Sequence, residues 1–334
     1  MIAASAAICY PQPACLSRES RLLMPLPNAY DLRTGLRQLI SRGAAILPAA
    51  AGIRFERWYR GFEEQKKLDA ADAVIASFGK SGRTWLRVLL WRYFARKNGF
   101  ASDSISGFDE FRNRHPGVPV LFFTHDTYLK DYLGHDRKAE IYRDRPVVLL
   151  VRDPRDTAVS QFFQWKHRMA LRKKVINAYP LDDVSVHDFI AGGEAGIPKI
   201  IAFMNDWAAE IGKMPKLLMV KYEDLRADTK GELRRILAFL GQDPSDAELE
   251  DAVAFASIEN MRRMEAENAN KSGAQRSMKP GDASDPSSFK VRRGKVGGWH
   301  DYVTDEQAAA IDRMVRENLD PVYGYSPPRS VAGD

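Results

Sequence analysis

A chain of 334 residues with 45% hydrophobic content buries a large core, which excludes disordered and fibrous classes and allows one α/β domain with additions or two domains. The formal net charge of +6 calls for anionic partners, yet there is no dense basic run and no nucleic-acid recognition motif. A positive site for an anionic ligand accounts for the charge without nucleic acid.

The leading segment carries the only two cysteines, Cys9 and Cys15. No disulfide framework therefore supports the core, and a reducing, cytoplasmic compartment is expected. Met1 to Ser17 is uncharged but lacks a basic start and is broken by Pro11 and Pro13, so it is read as a tail rather than a secretory signal or a lipidated Cys15. From Asp31 to Phe62, arginines 33, 37, 42, 54, 57 and 60 interleave with residues such as Leu36, Leu39, Ile40, Trp58 and Phe62. That pattern predicts helices, broken near Pro48, packed on the core by their apolar face, with peripheral contact to a membrane surface as the alternative. No apolar run reaches the roughly 18 residues of a spanning helix. Residues 1–72 are read as an N-terminal extension, 73–325 as the main domain and 326–334 as a C-terminal tail.

Strand-like runs at 73–78, 119–123, 146–151 and 216–221 alternate with helical patterns at 82–97, 154–168, 199–211, 229–240, 246–256 and 304–318. The expected class is α/β, with a central parallel sheet flanked by helices. Ligands of such sheets bind at the carboxyl ends of the strands. Two polar segments, 101–117 and 266–288, are read as mobile loops, the second closing over a bound ligand or else an inert insertion.

The first strand run ends in Ser77-Phe78-Gly79-Lys80-Ser81-Gly82-Arg83-Thr84-Trp85. Backbone N–H groups and a helix N-terminus converge there, which suits an anion; Lys80 adds charge, and the hydroxyls of Ser81 and Thr84 can donate to phosphate oxygens. Lys80 precedes the second glycine, so the spacing differs from that of the nucleoside-triphosphate loop, and taken alone the turn is equally compatible with a plain helix start. A second run, Pro146 to Val151, discharges into Arg152-Asp153-Pro154-Arg155-Asp156, with Ser160 about two turns into the following helix. Arg152 and Ser160 can reach one phosphate. The third piece, Phe289 to Trp299, is a basic, glycine-bearing loop. Three anion sites imply a ligand with several phosphate-like groups.

These residues resemble the sulfotransferases that use 3′-phosphoadenosine 5′-phosphosulfate, PAPS, especially their cytosolic type. The family's Y-P-K-S-G-T-T-W segment is matched by Phe78 to Trp85, its R-x-P-[KR]-D-x-x-V-S segment by Arg152 to Ser160, and its R-K-G loop by Arg292-Arg293-Gly294. Its Thr-His pair looks like Thr124-His125, and its Y-E-D segment like Tyr222-Glu223-Asp224. The resemblance implies a P-loop-like nucleotide-binding fold. It also implies that Lys80, Ser81, Gly82, Arg83, Thr84 and Trp85 hold the 5′-phosphosulfate, that Arg152 and Ser160 hold the 3′-phosphate under the Arg292, Arg293 and Gly294 clamp, and that Tyr222, Ser257 and Met261 complete the nucleotide site. His125 is then the general base, Lys80 stabilises the departing phosphate with Ser160 beside it, no metal is required, and the acceptor is the hydroxyl or amine of a small molecule, glycan or lipid.

Departures from the pattern carry expectations of their own. Arg83 replaces a threonine, so either an extra cation faces the phosphosulfate or the side chain turns outward. Phe123 stands where a lysine is common, which leaves His125 near or somewhat above its free value of about 6.5. Ser257 to Met261 matches only in part, and residues 300–309 lack two charges of the family's dimerisation motif, which leaves the oligomeric state open. Phe162, Phe163, Trp165, Tyr128 and Tyr132 line an apolar acceptor slot or belong to the core, and the histidines at 115, 135, 167, 187 and 300 are read as surface or packing residues. Two rival classes are a nucleotide-dependent kinase of a small molecule or sugar, and a non-catalytic basic protein that binds membrane or nucleic acid through its Arg-rich first segment.

Overall fold

The four apolar runs form β1 (Ala73–Ala76), β2 (Leu121–Thr124), β3 (Val147–Val151) and β4 (Leu217–Lys221), which in the computed structural model make one parallel sheet in the order β2-β1-β3-β4. Residues 46–99, 117–268 and 278–325 are described, with Gly35, Arg37, Leu39, Ile40, Gly43 and Ala44 before them. The leading tail with its cysteines, most of the 101–117 loop with His115, residues 269–277 of the second loop and the C-terminal tail lie outside the described residues.

The strands read as continuous apolar runs because both faces of the sheet are covered. Side chains alternate between faces: Val74, Ala76, Val147, Leu149 and Val151 join one core with Phe162, Trp165, Phe189 and Trp207. Ala73, Ile75, Val148, Leu150 and Val220 join the other with Leu86, Leu89, Trp91 and Leu237. The helices α2 (Arg83–Lys97), α5 (Pro154–Arg168), α8 (Ile197–Ile211), α10 (Thr229–Phe239), α11 (Asp246–Phe255) and α13 (Asp305–Asn318) fall within two residues of their expected bounds. Their starts are chemically marked: Asp153 accepts from the Arg155 N–H ahead of Pro154, and capping boxes open α11 (Ser245, Glu248) and α13 (Thr304, Gln307).

The chain steps from β1 outward to β2 and then back across to β3, so the loops leaving β1 and β3 diverge from adjacent strands. That divergence opens a crevice at the carboxyl end of the sheet. Helix α1 (Ala49–Asp69), which lies in the Arg-rich segment, starts after Pro48 and packs against α3 (Leu129–Leu133), β2 and α6 (Leu171–Ile176). The helices approach closely at Gly61, where a Cβ would stand 2.3 Å from the Tyr128 carbonyl oxygen. Arg57 ties the contact by donating to both oxygens of Asp131, at 3.0 and 2.8 Å, and to the Ile176 carbonyl at 3.0 Å. Packing on the core is thus what this helix does, and no helix among the described residues is long and apolar enough to cross a membrane. The remaining helices, α4 (Lys138–Ile141), α7 (Val186–Ala191), α9 (Tyr222–Ala227) and α12 (Ile258–Glu267), were not marked by periodicity because most span only a turn or two.

Candidate active site

The loop after β1 turns through two left-handed residues, Lys80 at φ 74° and Gly82 at φ 94°. Gly82 must be glycine on a second ground, since a Cβ there would lie 2.5 Å from the ring of Tyr222 at the end of β4. Arg152, at the end of β3, knits three segments together. It donates to the Lys80 carbonyl at 3.3 Å and to the Lys295 carbonyl at 3.2 Å, and its guanidinium lies 4.3 Å from the centre of the Tyr222 ring. Its Nε is buried with no partner among the described residues, a donor left over for a ligand acceptor.

The basic loop at 289–299 is anchored from beneath by two buried carboxylates. Asp156 accepts from the N–H groups of Gly297 at 2.8 Å and Trp299 at 3.0 Å. Glu265 accepts from the backbone of Lys290 at 2.6 Å and Val291 at 3.0 Å, and from Arg168 at 2.8 Å. Arg292 lies over Phe163, 3.7 Å from its centre, and donates to the Tyr302 hydroxyl at 2.8 Å. Arg293 pairs with Asp301 at 2.7 Å on the rim. Gly294, at φ 61°, passes Ile258 so closely that a Cβ would sit 2.5 Å from its methyl.

Cations crowd together here. Burial, then the charges of Arg168, Arg292 and Arg152, pull the Lys80 ammonium down to about 7, against a partial offset from Glu265. Lys290 is pushed well below its ordinary value by burial and then by Lys80, Arg168, Arg87 and Arg83. Cations packed this closely destabilise one another, which suits the cluster to an anion.

His125, after β2, lies across the crevice. Its Nδ1 is 3.0 Å from the Ser77 carbonyl, which can only accept, so Nδ1 carries the proton. Nε2 is then a lone pair, and Arg83 Nη2 donates to it at 2.6 Å. Arg83 therefore turns inward, and its partner is the histidine. The expectation of a His125 pKa near or above the free value is overturned: burial first, then Arg83, Lys173 and Lys290, hold it well below 6.5, and the Ser77 bond only partly opposes them. The cation absent at Phe123 is replaced by others reaching the same ring, while Phe123 itself lies under the Arg87 guanidinium, 4.4 Å from its centre. Behind His125, Asp126 is buried and held by Lys138 at 2.6 Å and the Tyr142 hydroxyl at 2.7 Å. Glu64 of α1 faces the same space, raised to about 7 by burial and the Asp126 charge.

A single cavity of about 560 Å³ joins these ends. Lys80, Gly82, Arg83, Thr84, Trp85, His125, Arg152, Ser160, Tyr222, Met261, Arg292, Arg293 and Gly294 all line it. Ser81 is buried inside the loop, and Ser257 caps α12 by accepting from the Asn260 N–H at 3.3 Å, one residue from the lining Ile258. Of the candidate acceptor aromatics, Phe162 and Trp165 are core, Phe163 supports Arg292, Tyr132 packs on Trp58 and Phe62, and Tyr128 lines the cavity. Lys290, Glu265, Arg168, Glu64 and Lys173 had no motif position to announce them; Lys290 alone stood inside a segment already marked as basic. Among the described residues, no group of three His, Cys, Asp or Glu is placed to hold a metal ion.

Comparison with known proteins gives the family and the fold. Cytosolic sulfotransferase 16 of Arabidopsis thaliana is 27% identical over 268 residues, covering 74% of this chain and 76% of that protein. Flavonol 3-sulfotransferase of Flaveria bidentis is 26% identical over 280 residues, covering 77% and 84%. The fold is shared with mouse sulfotransferase SULT7A1 complexed with PAP, at TM-score 0.50 and 22% identity over 77% of this chain and 89% of that one. It is shared also with retinol dehydratase in complex with androsterone and inactive cofactor PAP, at TM-score 0.52 and 18% identity over 75% and 80%. The sulfotransferase domain family matches residues 70–322, and the chain belongs to that family.

Proposed function

We propose that this sulfotransferase takes its sulfonate from PAPS and passes it to the hydroxyl or amine of a small-molecule acceptor, with His125 as general base and Lys80 as the cation at the departing phosphate. The observation that carries the reading is the placement of the Nε2 lone pair of His125 and the Lys80 ammonium on one cavity, between strand ends that also carry Arg152 and Tyr222. The residues present fit a bis-anionic nucleotide: Arg152 keeps an unmatched buried donor, Lys80 and Lys290 are lowered by burial and by the cations around them, and Gly82 and Gly294 leave no room for side chains on the cradle. Lys80, Thr84 and the loop N–H groups would hold the 5′ end, Arg152, Ser160 and the Arg292 to Gly294 clamp the 3′-phosphate, and Tyr222 and Met261 the base.

When bound, PAPS supplies an electrophilic sulfur and a phosphate leaving group. The acceptor oxygen or nitrogen forms the new bond to sulfur while the bond from sulfur to the 5′-phosphate oxygen breaks, its electron pair staying with the phosphate. His125 Nε2 takes the acceptor proton, and Lys80 neutralises the charge that develops on the leaving oxygen. For this Arg83 must give up Nε2 to the incoming hydroxyl, and the negative charge of the donor brings the imidazole back toward a useful basicity.

The test is thermal: PAP, which retains both phosphates, raises the melting temperature, by about 2.7 kcal/mol of stabilisation at a hundred times its Kd. Adenosine 5′-phosphate stabilises much less. Equal shifts from the two nucleotides contradict the assignment of Arg152 and Ser160 to the 3′-phosphate.

A further inference from the structure

Beyond His125, away from the nucleotide cations, the cavity wall is built by α1, α6 and the residues after β2. Lys173 of α6 opens onto this wall. Lys173 is an exposed residue, and its ammonium makes no hydrogen bond or ion pair with any described residue, while the acids of this wall are engaged or weakened. Glu56 is shared by Arg60 and Arg172, at 2.7 and 2.6 Å. Asp131 is held by Arg57 and Asp126 by Lys138. Glu64, raised to about 7, is half protonated at neutral pH.

The crowding of protein around it, then the charges of Arg83 and Arg60, lower the Lys173 pKa, although the side chain itself is exposed to solvent. Apart from Arg83 of the donor loop, no phosphate-side cation is among them. His125 feels Lys173 as well as Lys290, so the imidazole stands between two separate groups of cations.

Two phenols complete the wall. The Tyr128 hydroxyl accepts from Asn177 at 2.9 Å, and the Tyr179 hydroxyl accepts from Gln161 at 2.9 Å. Both line the cavity, and neither O–H has an acceptor among the described residues. Burial raises both pKa values, that of Tyr179 to about 12, so both keep their protons as donors. A wall that offers two phenolic donors and an exposed ammonium is complementary to a group that can only accept, with the unpartnered Glu64 oxygen half protonated at neutral pH and so weakly opposed to it.

We propose that the acceptor substrate of this enzyme carries an oxyanion, a carboxylate or a group of like charge, which Lys173 binds together with the hydroxyls of Tyr128 and Tyr179 while the nucleophilic hydroxyl faces His125. This rests on the sulfonate-transfer reading above and names the class of acceptor for it. The same cation has a second anion within reach, the transferring sulfonate itself, and the experiment separates the two.

The full chain, saturated with PAP, is titrated calorimetrically with 4-hydroxyphenylacetate and with 4-hydroxyphenylacetamide, which differ by one charge. The carboxylate binds roughly tenfold tighter, the worth of one charge-assisted hydrogen bond. Lys173→Met removes that preference by weakening the carboxylate, and Lys173→Arg restores it; unliganded melting temperatures verify that both variants fold. Turnover with PAPS is then measured for both phenols. Equal binding of the two probes to wild type, or no binding of either, overturns the proposal. So does a Lys173→Met loss of turnover that falls equally on both, because that assigns the charge to the sulfonate. Failure of PAP to stabilise the wild-type chain instead overturns the underlying transferase reading, a distinguishable result.

Discussion

Nη2 of Arg83 lies 2.6 Å from Nε2 of His125, and since a guanidinium can only donate, the histidine is held neutral with its lone pair occupied. The family pattern has a threonine at this position, and Phe123 removes a lysine two residues before the histidine. Arg83 thus supplies from the donor loop a cation that the strand lacks, and it couples the two halves of the cavity through one contact.

Replacing Arg83 by methionine removes the nearest charge and raises the His125 pKa toward 6.5. Proton NMR titration of the His125 ring checks this, an unmoved pKa being the contrary result. Because the native value is depressed, the folded chain binds fewer protons at this ring than the unfolded chain. Stability from His125 is therefore complete above about 6.5 and falls as pH drops below it. Arg83→Met flattens that fall.

Lys80 gives the opposite kind of pH dependence. Its ammonium is lowered to about 7 without ligand, so above pH 7 PAP must restore the proton as it binds. Kd for PAP should rise between pH 7 and 9 by up to about tenfold per unit, with proton uptake visible when calorimetry is run in two buffers of different ionisation heat. A flat Kd with no proton uptake contradicts the role given to Lys80.

Asp156→Ala leaves the N–H groups of Gly297 and Trp299 without their acceptor. The loss is about 1–3 kcal/mol, a fall in melting temperature of roughly 2–4 °C for each kcal/mol in a chain of this size class. PAP affinity should fall further, since these two groups pin the loop bearing Arg292 and Arg293. A variant whose melting temperature falls while PAP affinity holds shows that the anchoring does not serve the nucleotide.

Much of this fold was legible because its signals are local. Strands buried on both faces leave unbroken runs such as Val147 to Val151, and the anion loops at Lys80 and Arg152 follow their strands directly. The motif order carried the rest of the donor side. What escaped was made by contacts far apart in the chain: Lys290 on Glu265, Arg83 on His125, and Lys173 facing the cavity from α6. The acceptor wall was least legible, since α1 precedes the matched residues 70–322 yet contributes Arg57 and Glu64. The expected pKa of His125 failed for the same reason: it counted the neighbour in sequence, Phe123, and not the neighbours in space.

The division of labour between His125 and the nucleotide grip is the central claim, and His125→Ala tests it most directly. With PAPS and a phenolic acceptor, transfer should fall by roughly 10²–10⁴-fold, the usual contribution of a positioned base, while Kd for PAP stays within a few-fold of wild type. Transfer that survives the substitution across acceptors, or PAP binding lost together with it, contradicts the account.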